Sequence, residues 1–207
     1  MTETQSAAEY WENRYRENGK SWSGSANAAL VREINGVAPG SALDLGCGEG
    51  GDALWLARQG WAVTAVDIAP SALAIGAAAQ QATDDITWIA ADLSDWLPPR
   101  SYDLVSSCFL HSTVDLPREQ ILRRAATAVA PGGQLLIVGH SGAPHWDAPE
   151  GHHHHAPEDL PTPDEVLASL QLPDGEWEVL TNELVERPDA RLGTTIDGIL
   201  RLRRRVE

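Results

Sequence analysis

Cysteine is nearly missing from this chain of 207 residues: there are two, Cys47 and Cys108, far apart in sequence. No disulfide framework follows from two distant cysteines, and a reducing cytosol suits them. Long apolar runs are missing as well. The opening "MTETQSAAEYWENRY" has no apolar signal core, and no stretch reaches the length that spans a bilayer. The expectation is a soluble, cytoplasmic protein. Positive charge is scarce: 15 Lys and Arg against 30 Asp and Glu leave a formal charge of −15. Such a field repels nucleic acid, which needs phosphate neutralisation. The short basic clusters, "RLRRR" at 201–205 and Arg123–Arg124, read as solvated faces or strand ends. Internal repeats are absent too, so neither a solenoid nor a propeller is indicated.

What is present is an alternation. Helical spacing covers 8–18 and 25–35. "SALDLGC" reads as a buried strand, followed by a helix from Gly51 to Gln59 that Gly60 ends. "WAVTAVD" is a second strand, and "PSALAIGAAAQQA" a helix with Pro70 in its first turn. "ITWIAAD" and "YDLVSSCFL" are the third and fourth strands. "PREQILRRAATAVA" is an amphipathic helix ended by "PGG", and "QLLIVGH" is the fifth strand. This pattern predicts a parallel sheet with helices on both faces. Residues 141–162 have no period and form an irregular, His-rich loop. After the short helix "PDEVLASL", the stretches "EWEVLTNELVERPD" and "TIDGILRLRR" predict a closing hairpin. A length of 207 residues suits one domain, with residues 1–38 as an N-terminal helical cap.

The densest chemistry is in "LDLGCGEGGDALWLA", residues 43–57. Glycine is needed where backbone must come close to something. Gly46, Gly48 and Gly51 spell G-x-G-x-x-G, the dinucleotide fingerprint. Asp44, Gly46, Gly48 and Gly50 spell a second pattern, acid-x-G-x-G-x-G. The strand ends help to choose. Asp67 ends the second strand, 23 residues after Asp44, where a carboxylate can accept both ribose hydroxyls. Asp92 ends the third, where it can accept from an exocyclic amine or cap "LSDWL". A pyrophosphate sits badly among three carboxylates. A ligand with a sulfonium, an ammonium and a ribose sits well, which favours S-adenosylmethionine over a nicotinamide dinucleotide.

These pieces, "LDLGCGEG", "VTAVDIAP", "AADL", "YDLVSSCFL" and "APGGQLLIVG", occur in order over residues 40–140. In that combination the chain resembles the class I S-adenosylmethionine-dependent methyltransferases. The N-terminal "YWENRYRENGKSWSGSANAALV" makes it most similar to bacterial small-molecule enzymes of the tellurite-resistance and thiopurine type. The resemblance implies a doubly wound, Rossmann-like α/β fold with a seven-stranded sheet, mostly parallel with an antiparallel last strand. It implies that Asp44, Gly46, Cys47 and Gly48 line the methionine part of the cofactor. Asp67 and Ile68 would hold the ribose and flank adenine, and Asp92 and Leu93 would hold the adenine amine and its other face. Ser107 and Cys108 would lie beside the sulfonium, and Trp22 in the covering segment would touch the ligand. Trp11 lies in the same segment, and Asn27 reads as a helix cap or a substrate contact.

The fourth strand ends "SSCFLH", without the Asn/Asp-Pro-Pro-aromatic motif of base amino methylation, and no cysteine cluster suggests arsenic chemistry. The implied reaction is methyl transfer to a small-molecule acceptor. A nicotinamide-dependent oxidoreductase and a noncatalytic S-adenosylmethionine-binding module are the alternatives. All seven histidines fall within 111–155. His111 and then His140 are the candidates for a general base, since imidazole titrates near neutrality. His145 and the run His152–His155 read as a solvated loop, with a transition-metal site or an acceptor contact as the other readings. No metal is assigned.

Overall fold

The computed structural model describes residues 6–18, 23–142, 160–186 and 196–206. Seven strands form one sheet: β1 (Ser41–Leu45), β2 (Ala62–Asp67), β3 (Ile86–Ala90), β4 (Tyr102–Cys108), β5 (Val129–His140), β6 (Trp177–Glu186) and β7 (Ile196–Arg204). Their order is β3-β2-β1-β4-β5-β7-β6. The first five run parallel, whereas β7 is antiparallel to both β5 and β6. The predicted sheet and its terminal hairpin are therefore both present. The strand order reverses between β1 and β4, the place where open α/β sheets leave a crevice beyond their carboxyl ends.

The helices are α1 (Ala7–Asn18), α2 (Ala28–Ile34), α3 (Gly51–Arg58), α4 (Pro70–Ala79), α5 (Arg118–Thr127) and α6 (Pro163–Leu170). Alternate strand residues serve the two faces, as a period of two requires. Leu43, Leu45, Leu135, Ile137, Leu200 and Leu202 pack with Ile121 and Leu122 of α5 and Val166 and Leu170 of α6. Ala42, Leu104, Leu136, Val138 and Ile199 face the other way, toward Leu30 and Ile34 of α2 and Leu56 and Ala57 of α3. Each fully buried leucine contributes about 1.5–3 kcal/mol. None of these helices is long and apolar enough to cross a membrane.

One boundary differs from expectation. The helix expected to run to "PGG" ends at Thr127, and β5 begins at Val129. Val129 pairs with Tyr102 before the register shifts, and "PGG" lies in that irregularity. A Cβ on Gly133 would stand 2.9 Å from the Tyr102 carbonyl oxygen, so only bare backbone fits there. The N-terminal segment holds two helices where the spacing predicts them, and they take different places. Helix α2 packs on the sheet, held by Asn27, whose side chain accepts from Ala29 N–H at 2.9 Å as its N-cap. Helix α1 lies beyond the strand ends, where Glu12 accepts from Ser71 N–H at 3.0 Å and Thr113 donates to the Tyr10 hydroxyl at 2.8 Å.

Candidate functional site

The loop between β1 and α3 folds back on β2: Gly46 and Cys47 N–H both donate to the Val66 carbonyl, at 2.9 and 3.1 Å. Its four glycines divide by task. Gly46 and Gly48 have φ of +69° and +53° and face side chains across a cleft; a Cβ would lie 2.6 Å from Leu110 Cδ1 and 3.0 Å from the Tyr15 hydroxyl, respectively. A Cβ on Gly50 would stand 2.3 Å from the Trp88 ring, and one on Gly51 2.7 Å from the Ser25 carbonyl oxygen. Each glycine pattern in the sequence thus contains a glycine that serves packing within the protein.

The cleft has a volume of about 710 Å³ and is built where the strands end. That size suits a cofactor with a small partner. It brings together Gly46, Cys47 and Gly48 after β1, Asp67 and Ile68 at β2, Asp92 and Leu93 after β3, Cys108 and His111 at β4, and His140 at β5. Of the cofactor-binding and base residues anticipated from sequence, Asp44 does not line it, and Trp22 lies outside the described residues. Ser107 also stays out of the lining; its Oγ is buried without a hydrogen-bond partner. His145 and His152–His155 lie outside the described residues as well. Among the described residues no group of three or more His, Cys, Asp or Glu could hold a metal ion.

The lining carries Glu49, Asp52, Asp67, Asp92 and Asp115, and among the described residues no lysine or arginine. Asp52, in the first turn of α3, was not singled out from the sequence. Its carboxylate accepts from Asn27 N–H at 2.6 Å. Burial pushes the Asp52 carboxyl above its ordinary range, against the hydrogen bonds from Asn27 and Cys108. Burial also raises Asp67, although Ala69 and Gly48 N–H donate to its two oxygens at 2.9 and 2.8 Å. Asp44 lies deeper, 2 % exposed. Burial and then the neighbouring Asp52 charge push it well above the carboxylate range. Its Oδ1 accepts from Ser106 Oγ at 3.3 Å, and Oδ2 has no partner. Burial and these acids likewise hold the Cys47 and Cys108 thiols well up, so neither is an activated thiolate. Asp92 accepts from Ser94 N–H at 2.8 Å and lines the cleft; "LSDWL" forms a turn and no helix, so the expected N-cap is an Asx-type turn instead.

A cofactor with a positive centre fits this donor set on two observations. Asp52, Asp67 and Asp92 have no lysine or arginine beside them on the described lining, and a side chain at Gly46 or Gly48 would fill the cradle. Pyrophosphate fits poorly, because nothing on the described lining neutralises it.

The far end of the cleft is aromatic and histidine-rich. Phe109 takes φ +54°, a left-handed conformation that costs a bulky residue about 1–2 kcal/mol. That twist directs the chain after β4 across the cleft. His111 Nε2 accepts from His140 N–H at 3.0 Å, which makes His111 the Nδ1–H tautomer. Burial, with the Arg118 charge second, drives the His111 pKa down to about 3. His140 Nδ1 lies 3.0 Å from Asp197 Oδ1. The His140 ring stacks on His111 with centroids 5.5 Å apart and an 8° tilt, and touches Phe109 at 4.6 Å. From α1, Trp11 and Tyr15 close the near side, with Trp11 Nε1 donating to Ser112 Oγ at 3.3 Å.

Residues 42–133 match a family model described as a methyltransferase domain. The chain is 32 % identical over 126 residues to the 2-heptyl-1-hydroxyquinolin-4(1H)-one methyltransferase of Mycobacteroides abscessus, covering 56 % of this chain and 54 % of that one. The chain therefore spans about half the length of the curated relatives it matches. Among solved structures it superposes on TehB from Haemophilus influenzae with a TM-score of 0.67 at 19 % identity, covering 94 % of this chain and 67 % of that one. It superposes on DhpI in complex with SAH with a TM-score of 0.62 at 22 % identity, covering 97 % and 96 %.

Proposed function

We propose that this chain, whose residues 42–133 match a methyltransferase-domain model and whose fold is that of the DhpI structure, transfers the methyl group of S-adenosylmethionine to a small-molecule acceptor. The observation that carries the reading is the cleft at the strand ends, floored by bare glycine backbone and lined by carboxylates with no described lysine or arginine. When bound, the cofactor supplies a methyl carbon made electrophilic by the sulfonium.

The chain's own residues hold and align. Gly46, Cys47 and Gly48, bare backbone in the cleft lining, would receive the methionine part, and Cys108 at the end of β4 would face the sulfonium. Asp67 accepts the ribose hydroxyls with the lone pairs left over from Gly48 and Ala69 N–H. Asp92 would accept from the adenine amine, with Ile68 and Leu93 of the lining flanking the base. The Asp52 and recessed Asp44 carboxyls, raised by burial, would ionise more readily once a bound cation offsets them. Trp11, Phe109 and Leu110 exclude water around the acceptor. Alignment of donor, methyl and nucleophile can lower a barrier by about 7–11 kcal/mol. The formal charge of −15 favours a small molecule over nucleic acid as the acceptor. The test is calorimetric titration with S-adenosylmethionine, S-adenosylhomocysteine and NAD. Both adenosyl ligands bind and NAD does not; binding of NAD without the other two overturns the proposal.

A further inference from the structure

We propose that His140 and Asp197 form a base dyad at the acceptor end of the cleft, and that the acceptor is a weakly acidic hydroxyl of the phenol kind. This rests on the methyl-transfer reading and adds the chemistry of its second substrate. His140 is the last residue of β5, and Asp197 stands directly opposite it in the antiparallel register with β7. Their Nδ1 and Oδ1 lie 3.0 Å apart. A carboxylate can only accept, so Nδ1 carries the hydrogen and Nε2 carries the basic lone pair. The His140 side chain is 28 % exposed and lines the cleft; that of Asp197 is 10 % exposed and lies behind it.

The ring is held from several sides. His111 stacks on one face and Phe109 packs against it. His140 N–H is tied to His111 Nε2, and Arg118 Nε holds the Leu110 carbonyl at 3.0 Å. His111 itself cannot serve, because its acceptor nitrogen is committed to that main-chain bond. Among the described residues, Asp197 from β7, His111 from the segment after β4 and Arg118 from α5 stand near His140, and Asp115 and Asp52 line the same cleft.

The need for a base selects the acceptor. A thiol, with a pKa near 8.5, supplies its own anion at mildly alkaline pH, whereas a phenol near 10 does not. Phe109, Leu110, Leu116 and Trp11 offer the apolar flanks a planar ring requires. In the transfer, the acceptor oxygen forms a bond to the methyl carbon as the carbon–sulfur bond breaks and its electron pair stays with sulfur. The hydroxyl proton passes to His140 Nε2, giving an imidazolium against the Asp197 carboxylate. The products are a methyl ether, S-adenosylhomocysteine and a proton later released from His140.

The experiment compares wild type, His140→Gln and Asp197→Asn on phenol, 4-nitrophenol, thiophenol and benzylamine, with S-adenosylhomocysteine affinity measured alongside. Wild type turns over phenol, with a rate that rises with pH along an acid limb. His140→Gln loses about 10²–10⁴-fold in kcat on phenol. Asp197→Asn loses at least about tenfold, and its acid limb moves to lower pH because the imidazolium has lost its counter-charge. On 4-nitrophenol, which ionises unaided, both deficits shrink markedly. Nitrogen NMR of labelled histidine shows the Nδ1–H tautomer at His140 in wild type and a lowered His140 titration in Asp197→Asn, with no acceptor present. An unmoved titration and acid limb in Asp197→Asn, equal deficits on both phenols, or turnover of thiophenol or benzylamine but not of phenol overturns the dyad. Failure of wild type to bind S-adenosylhomocysteine brings down the methyl-transfer reading instead.

Discussion

Two buried acidic sites in this molecule have opposite electrostatics. Glu33, on α2, is 8 % exposed and fully answered. Thr181 donates to it at 2.7 Å, Arg32 at 2.8 Å, and Arg201 stands 3.5 Å away. Burial pushes the Glu33 carboxyl up, but Thr181, Arg32 and Arg201 together hold it below its usual range. At the cleft, Asp67 is also buried and Asp52 half-buried, yet backbone N–H groups and a thiol are their donors, and both carboxyls sit above their usual range. Glu33 is complete within the chain and serves stability. The cleft acids are completed by something from outside, which is the mark of a site for a cation.

The sharpest way to break that contrast is Asp67→Ala. Charged hydrogen bonds to two ribose hydroxyls are worth about 1.5–3 kcal/mol each. S-adenosylmethionine affinity should fall at least about tenfold while circular dichroism stays native. Unchanged affinity by calorimetry removes Asp67 from the site.

Next in size is Glu33→Ala, which strands Arg201, itself only 15 % exposed. Removing one partner of a buried pair costs about 3–5 kcal/mol, and the half-exposed Arg32 reduces that toward about 2. The melting temperature should drop by several degrees with S-adenosylhomocysteine affinity untouched. A change in affinity at constant stability would erase the distinction between the two regions.

Asp52→Asn should do the reverse. Relieving a half-buried, raised carboxylate should stabilise the empty protein by about 2–4 °C for each kcal/mol gained. The same change should weaken S-adenosylmethionine, with its sulfonium, more than neutral-sulfur S-adenosylhomocysteine. Equal losses for the two ligands would show that Asp52 does not sense the charge.

The smallest effect is on pH dependence, and its signs differ between the regions. The raised carboxyls of Asp52 and Asp67 contribute stability to the empty protein that is present below their unfolded values and is lost as pH rises through their folded ones. Cation binding lowers those values, so S-adenosylmethionine affinity should strengthen with pH across the same window. Glu33, held low, contributes stability above its unfolded value, lost as pH falls through the folded one. Thermal melts of wild type and Glu33→Gln from acid to neutral pH separate the two contributions.

Much of the architecture was legible from local pattern. The alternation of apolar runs and amphipathic stretches predicts the parallel strands, because side-chain periodicity is set by backbone geometry alone. Turn chemistry did the same for Asn27 as N-cap and Gly60 as helix stop, whereas the segment after Asp92 stayed a turn. The "PGG" boundary was misread because a helix stop and a strand irregularity use the same residues. The cleft residues Gly46, Cys47, Gly48, Asp67, Ile68, Asp92 and Leu93 were reachable because each stands at or just after a strand end. Asp52 had a weaker signal, an acid in the first turn of a helix, which ordinarily reads as a dipole partner.

The sequence by itself determined the strands, the glycine loop and the row of acids at the strand ends, since spacing and turn preference act between near neighbours. Only the tertiary structure decided which groups reach the cleft. Asp44, three residues before Cys47, is recessed, because where a strand residue points depends on what packs over it. Two histidines of one chemistry were parted by their partners. A main-chain N–H locks His111, and Asp197, 57 residues from His140 in sequence, sets the tautomer of its ring. Register across an antiparallel pair is a property of the whole sheet, and no local spacing in the chain encodes it.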